Sequence, residues 1–225
     1  GKQQFQSCVG KLIWPKQERP DIAFSVKQCA RCVGQPTMAD WERLKRVGRY
    51  LSATSGSYLR LEFDPKADSS VVEVRTDSDW ATLADRKSTS GGVLRYCGFA
   101  LATWSRTQPT VATSSCEAEL IGMFVGTTEA RLVQTLLKEV GTAMKIALHS
   151  DSLAAIRTSF ARGAGRMKHL DVRYLWLQDA FRSEMFSLDS VSSEKNTADA
   201  LTKKFAGPRH RYLTGLLGMR EKTEV

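Results

Sequence analysis

Four acidic residues that lie far apart along the chain are the candidates for chemistry. They are Asp77, Glu119, Asp151 and Asp199, and each stands near the end of a predicted helix or strand, where its side chain can enter a shared cleft. Carboxylates gathered in one place repel one another and raise each other's pKa values unless cations are present. Mg²⁺ prefers hard oxygen ligands, and two such ions about 4 Å apart activate a water and stabilise the leaving oxygen of a phosphodiester. If the four side chains converge, they predict metal-dependent phosphodiester chemistry.

For two of these carboxylates, another acidic residue close by in the sequence is an alternative candidate. Asp79 follows Asp77 by two positions and would share its face of a strand, so alternation alone does not exclude it. We favour Asp77 because it lies further inside the strand, and Asp79 stays an auxiliary candidate. Glu117 and Glu119 lie about 200° apart around a helix, so only one of them can face the cleft.

The other two carboxylates have competing local roles. Asp151 precedes a predicted helix, where an Asp commonly serves as the N-cap. Asp199 falls in the first turn of a predicted helix over residues 197–204, where the helix dipole favours an acid. The spacing of the four acids therefore does not by itself bring them together.

The elements that would position these acids follow from hydrophobic periodicity. Residues 5–61 indicate helices, and the polar residues 64–70, which include Pro65, indicate a linker. Strands are predicted over residues 71–77, 91–98, 99–105, 146–151 and 186–191, and helices over residues 114–138, 153–160, 170–181 and 197–204. Three strands followed by alternating helices and strands indicate an α/β fold with a mixed sheet. We therefore predict a helical segment (1–63), an α/β domain (71–206) and a basic tail (207–225).

Composition narrows the class of partner. The 225 residues carry a formal net charge of +9, which favours a polyanion such as nucleic acid. No run of about 18 apolar residues is present, so we expect no membrane partner. The five cysteines are odd in number and scattered, which favours a reducing compartment. The chain begins at Gly1 without an initiator Met or a signal-peptide stretch, so we expect a soluble, intracellular, non-secreted fragment.

Basic residues suited to phosphate contacts cluster at three places. The candidates are Arg86, Lys87, Arg162, Arg166, Lys168 and Lys203. Two glycines within residues 162–169 let that charged stretch follow a nucleic-acid backbone closely. His169, in the same stretch, is a candidate for assisting proton transfer or product exit, with a purely structural hydrogen bond as its alternative.

Several co-linear motifs carry a family resemblance. Residues 76–81 (TDSDWA) and 85–91 (DRKSTSG) closely resemble the opening of the ribonuclease H domain in Pol polyproteins of copia-type LTR retrotransposons. Residues 114–119 (SSCEAE), 150–152 (SDS), 168–174 (KHLDVRY) and 196–203 (NTADALTK) continue the resemblance in order. Residues 19–24 (RPDIAF) and 44–51 are similar to the end of the reverse transcriptase that precedes this domain. The resemblance covers nearly the whole chain.

The resemblance implies a fold, an activity and a partner. The fold would be a ribonuclease H-like mixed five-stranded sheet flanked by helices and preceded by a small helical segment. Asp77, Glu119, Asp151 and Asp199 would take the metal-ligand places, with Glu119 selected over Glu117 by the family pattern. Two Mg²⁺ ions, with Mn²⁺ as a substitute, would support hydrolysis of the RNA strand of RNA:DNA hybrids. The upstream reverse transcriptase of the same polyprotein would be the protein partner.

Two other functions fit the same residues. One is a catalytically idle module that holds the hybrid for a neighbouring polymerase, which would need the basic residues but tolerate loss of any carboxylate. The other is a related nuclease or integrase-like phosphotransferase, which would use three carboxylates without selecting hybrids. The presence of the fourth acid, Asp199, disfavours the second of these.

Overall fold

The computed structural model describes residues 1–82, 84–162 and 172–222. The helices are α1 (Lys2–Ile13), α2 (Ala23–Ala30), α3 (Met38–Ala53), α4 (Ser115–Glu139), α5 (Leu153–Phe160), α6 (Val172–Arg182) and α7 (Gly207–Leu216). The strands are β1 (Tyr58–Leu59), β2 (Val71–Asp79), β3 (Thr89–Tyr96), β4 (Phe99–Thr107), β5 (Lys145–Ser150), β6 (Ser187–Ser190) and β7 (Met219–Arg220). Short 3₁₀ helices cover Pro15–Gln17, Pro20–Ile22 and Thr197–Leu201.

A mixed five-stranded sheet occupies the centre of the chain, in the order β4-β3-β2-β5-β6. β2, β3 and β4 pair antiparallel as a meander, whereas β5 runs parallel to both β2 and β6. The predicted α/β fold, with a ribonuclease H-like mixed five-stranded sheet and flanking helices, is confirmed. Because β2 and β5 are parallel neighbours, their carboxyl ends meet at one edge of the sheet.

Helix α4 covers one face of this sheet at unusually short range. Ser114 caps its start by accepting a hydrogen bond from the Glu117 amide. Gly122 and Gly126 then face β2, and a Cβ atom at position 126 would lie 2.5 Å from Thr76 Cγ2. These two glycines, one helical turn apart, let the helix backbone approach the strand that carries Asp77.

The opposite face is covered by elements from both ends of the chain. Ala23 of α2 and Leu213 of α7 pack with Val93 of β3 and Leu201 of the 3₁₀ helix Thr197–Leu201 in one buried cluster. Lys27 of α2 is buried, and its ammonium donates a 2.5 Å hydrogen bond to the Thr89 hydroxyl of β3. The helical segment therefore packs directly on the sheet.

Four elements differ from the sequence predictions. β1 lies within the stretch predicted to be helical, because it pairs antiparallel with β7 from the far end of the chain. The tail, for which no element was predicted, forms α7 and β7 because Leu213 and Leu217 are buried against the sheet. The helix predicted over residues 197–204 is a shorter 3₁₀ helix, Thr197–Leu201. The predicted boundary at residues 64–70, which form turns and bends, stays a prediction.

Across the described parts of the chain, the helices are all too short or too polar to cross a lipid bilayer.

Replacing Gly126 by Ala should destabilise the protein, although Ala is the better helix former by about 1 kcal/mol. The added methyl would collide with Thr76, so we expect the free energy of unfolding in urea to fall by about 1–3 kcal/mol. Gly48→Ala in α3 is the matched control, since a Cβ atom there meets nothing within 4 Å. That variant should gain up to about 1 kcal/mol. Equal changes in the two variants would contradict the close packing of α4.

Candidate active site

Three of the predicted acids come together at the edge where β2 and β5 end. Carboxylate oxygens of Asp77, Asp151 and Asp199 all lie within 4.8 Å of one another. Asp77 is in β2, Asp151 directly follows β5, and Asp199 is in the 3₁₀ helix Thr197–Leu201. Asn196 fastens that helix to the sheet, because its side-chain amide donates a 3.0 Å hydrogen bond to the Thr76 carbonyl. We call these three residues the acidic triad.

Glu119 lies beside the acidic triad, in the second turn of α4. Its carboxyl is buried, and burial together with the charges of Asp77 and Asp151 raises its pKa to about 9. The Ser78 amide donates a hydrogen bond to this carboxyl. Its Oε2 atom, however, is buried without a hydrogen-bond partner in the part of the chain that the structure describes. A buried oxygen of this kind is costly unless a proton or a cation accompanies it.

Glu117 and Asp79, the alternatives to Glu119 and Asp77, form hydrogen bonds with nearby residues instead. Glu117 Oε2 accepts hydrogen bonds from the amide (2.7 Å) and the hydroxyl (2.8 Å) of Thr113, which closes the start of α4. Asp79 Oδ2 accepts a 2.6 Å hydrogen bond from the Thr82 hydroxyl, and Asp79 is not part of the acidic triad. Glu119 and Asp77 are therefore the members of these two pairs that face the shared site.

The capping role left open for Asp151 is filled by its neighbour. Ser152 is the N-cap of α5, and its hydroxyl accepts a hydrogen bond from the Ala155 amide. Asp151 is half-buried and belongs to the acidic triad. Asp199 does lie in the first turn of a helix, where the helix dipole favours an acid. It is also buried and belongs to the triad.

Lys203 neutralises part of this negative charge. Its ammonium lies 2.9 Å from Asp199 Oδ1 and 3.3 Å from Asp77 Oδ1. Burial lowers the pKa of Lys203, but the two carboxylates outweigh that effect and raise the pKa above its ordinary value. Lys203, predicted as a phosphate contact, thus reaches the acidic triad.

Asp77 is the most deeply buried acid of the site, with 1% of its surface exposed. Burial raises its pKa to about 6, against the opposing effect of Lys203. The Thr202 hydroxyl donates a hydrogen bond to Asp77 Oδ2. Thr202 and Asn196 were not singled out in the sequence, although both lie in the motif over residues 196–203.

The donor set fits a divalent cation. Four carboxylates offer hard oxygen atoms, and one of these oxygens, Glu119 Oε2, is buried and lacks a partner within the described residues. Within that same part of the chain, Lys203 is the cation that forms ion pairs with the triad. The buried acidic cluster is therefore compatible with divalent metal binding.

The predicted basic contacts lie outside the triad. Arg86 is exposed and Lys87 half-buried in the connection between β2 and β3, and Arg162 is exposed after the end of α5. Arg31, the C-cap of α2, pairs with Asp85 at 2.9 Å, which joins the β2–β3 connection to the helical segment. Arg166, Lys168 and His169 lie outside the described residues, and their roles stay predictions.

The raised pKa of Glu119 predicts how stability changes with pH in EDTA. Between the ordinary pKa of 4.5 and about 9, the unfolded chain loses a proton that the folded protein retains, so stability falls as pH rises. Glu119→Gln cannot ionise and removes this contribution. We expect the drop in melting temperature from pH 5 to pH 9 to be smaller in this variant by about 5 °C. Identical pH profiles, measured by calorimetry, would rule out a buried, proton-holding Glu119.

The chain is similar to part of several curated transposon polyproteins. No family model matches it. It is 32% identical over 223 residues to the retrovirus-related Pol polyprotein from transposon TNT 1-94 of Nicotiana tabacum, which covers 97% of this chain and 16% of that protein. It is 28% identical over 206 residues to the Pol polyprotein from transposon RE2 of Arabidopsis thaliana, covering 89% of this chain and 14% of that protein.

A solved structure shares the fold. The foamy viral protease-reverse transcriptase in complex with dsDNA is similar with a TM-score of 0.53 and 12% identity, over 85% of this chain and 38% of that one. The curated relatives are much longer than this chain, which spans 16% and 14% of their lengths. Along nearly its whole length, the chain is homologous to a part of the retrovirus-related Pol polyproteins of plant transposons.

Proposed function

We propose that this chain is a ribonuclease H that hydrolyses the RNA strand of RNA:DNA hybrids during reverse transcription of a retrotransposon. The observation that carries the proposal is the acidic triad, whose oxygens lie within 4.8 Å of one another with Glu119 beside them. Buried acids that lie close together destabilise the folded protein. A cation-dependent reaction at this site would explain why the protein keeps them there. Similarity to the Pol polyproteins and the motifs over residues 76–203 support the same activity.

The proposed cofactor is a pair of Mg²⁺ ions, with Mn²⁺ as a substitute. Asp77, Glu119, Asp151 and Asp199 would hold them, since all four offer hard carboxylate oxygens. When bound, the ions would lower the pKa of a water molecule and stabilise the leaving oxygen of the phosphodiester. The Oε2 atom of Glu119 supports this proposal: it has no hydrogen-bond partner among the described residues, and a cation would compensate its burial.

The protein's own contribution is to hold these carboxylates in place beforehand. Thr202 restrains one oxygen of Asp77 and Lys203 contacts the other, while Asn196 fixes the helix that carries Asp199. Groups held by such contacts need little reorganisation when substrate arrives. Without a cation, Glu119 holds a proton at neutral pH, and metal binding would release it.

The substrate and partner complete the proposal. The net charge of +9 suits a polyanionic substrate, and Arg86, Lys87, Arg162, Arg166 and Lys168 are the proposed phosphate contacts, with His169 as an auxiliary. The chain corresponds to a small part of its Pol relatives, so the upstream reverse transcriptase is the proposed partner. We place the activity inside the cell, in line with the scattered cysteines.

One observation favours a second candidate function, hybrid binding without cleavage. The Lys203 ammonium contacts two acids of the triad and supplies positive charge where a metal ion would sit. A lysine that cannot be displaced would leave the module catalytically idle. The same assay distinguishes the two candidates.

The chain should cut labelled RNA:DNA hybrid in Mg²⁺ and leave duplex DNA and single-stranded RNA intact. Asp77→Asn should lower the cleavage rate by about 100-fold or more, because the most buried carboxylate of the triad is lost. Asp189→Asn is the matched control, since Asp189 is exposed in β6 and outside the triad. It should cut at the normal rate.

Two results would contradict ribonuclease activity. Salt-sensitive binding of the hybrid by the unaltered chain, with no product in Mg²⁺ or Mn²⁺, would establish the idle module. Cleavage that is equally fast in the Asp77→Asn variant would show that the triad is not the reacting centre.

A further inference from the structure

A cavity of about 480 Å³ lies between the helical segment and the residues that follow the 3₁₀ helix Thr197–Leu201. α2 and α3 form one wall, and residues 200–210 form the other. Its lining includes five basic residues, Arg43, Arg46, Lys203, Lys204 and His210. We call this cavity the basic groove.

Part of the positive charge of the basic groove is uncompensated. Asp21 is the acidic residue among its described lining, and it is already paired with Arg19 at 2.7 Å. Arg43 pairs with Asp40 at the edge of α3. Arg46 and Lys204 are exposed and form no ion pair with any described residue. Two cations are therefore free to meet an anion from outside.

The basic groove is continuous with the candidate active site. Lys203 lines the groove, and the ammonium of the same side chain contacts Asp77 and Asp199. A single lysine thus separates the acidic triad from a cavity of opposite charge. A nucleic-acid strand carries a phosphate at every nucleotide, about 3.4 Å apart along the helix axis. A strand placed with one phosphate at the triad would bring neighbouring phosphates towards the groove.

We propose that the basic groove binds backbone phosphates of the hybrid on one side of the cut position. The inference rests on the proposed function, because it takes the acidic triad as the point of cleavage. The negative charge of the acidic triad repels a polyanion, so cations beside it are needed to hold a strand there. Arg46 offers the planar fork that binds phosphate oxygens in pairs, and Lys204 offers a point charge. The contacts are to phosphate and carry no base preference.

The double variant Arg46→Ala/Lys204→Ala tests the groove. Affinity for a fluorescently labelled RNA:DNA hybrid is measured by anisotropy in EDTA, so that no cutting occurs, over a series of salt concentrations. We expect about tenfold weaker binding at low salt, and a slope of log Kd against log salt that is smaller by about 1 to 2. Arg49→Ala is the matched control, because Arg49 is exposed on the same helix and does not line the groove. That variant should keep the affinity and slope of the unaltered protein.

A charge-preserving variant and a second ligand complete the test. Arg46→Lys/Lys204→Arg should restore binding, which distinguishes charge from altered folding. Overlapping salt dependences for the double Ala variant and Arg49→Ala would overturn the inference. Tight binding of inorganic tripolyphosphate, lost in the double Ala variant while hybrid affinity is unchanged, would overturn it in favour of a site for free anions.

The inference and the proposed function can fail separately. If the unaltered chain cuts the hybrid and the double Ala variant binds it normally, the groove proposal fails while the nuclease stands. If hybrid binding depends on Arg46 and Lys204 but no cutting occurs in Mg²⁺, the groove binds phosphate and the nuclease proposal fails.

Discussion

Mutual repulsion of buried carboxylates is the constraint on which this site depends. Asp77, Glu119 and Asp199 are all buried, and burial and neighbouring negative charge raise the pKa values of Asp77 and Glu119. Such a cluster persists only when its surroundings hold it together and a cation offsets its charge. Within the described residues Lys203 offsets part of it, which fits a site built to receive further positive charge.

The same constraint explains why the elements around the cluster are so closely packed. Gly122 and Gly126 allow α4 to approach β2, which brings Glu119 next to Asp77 from one face of the sheet. The 3₁₀ helix Thr197–Leu201 brings Asp199 from the other face, held by Asn196. Precise placement of like charges therefore depends on contacts made by residues that carry no charge themselves.

The helical segment packs against the sheet and lines the basic groove, rather than only preceding the sheet in the chain. α2 packs on the sheet through Ala23 and Lys27, and α3 supplies one wall of the basic groove. Under the proposed function, the segment that precedes the α/β domain would thereby line the path of the substrate.

The candidate acids, their order and the family resemblance could all be read from the sequence, because motifs and hydrophobic periodicity are set by residues within a few positions of one another. It also predicted the five strands of the sheet, with limits that the structure moved by a few residues. It left open Asp79 against Asp77 and the capping role of Asp151, since both alternatives satisfy the local pattern. Three features became visible in the folded structure and not in the sequence: the acids converge, Lys203 lies among them, and α3 faces residues 200–210. These are distances between remote parts of the chain, and they are set by how complete helices and strands pack rather than by local propensity.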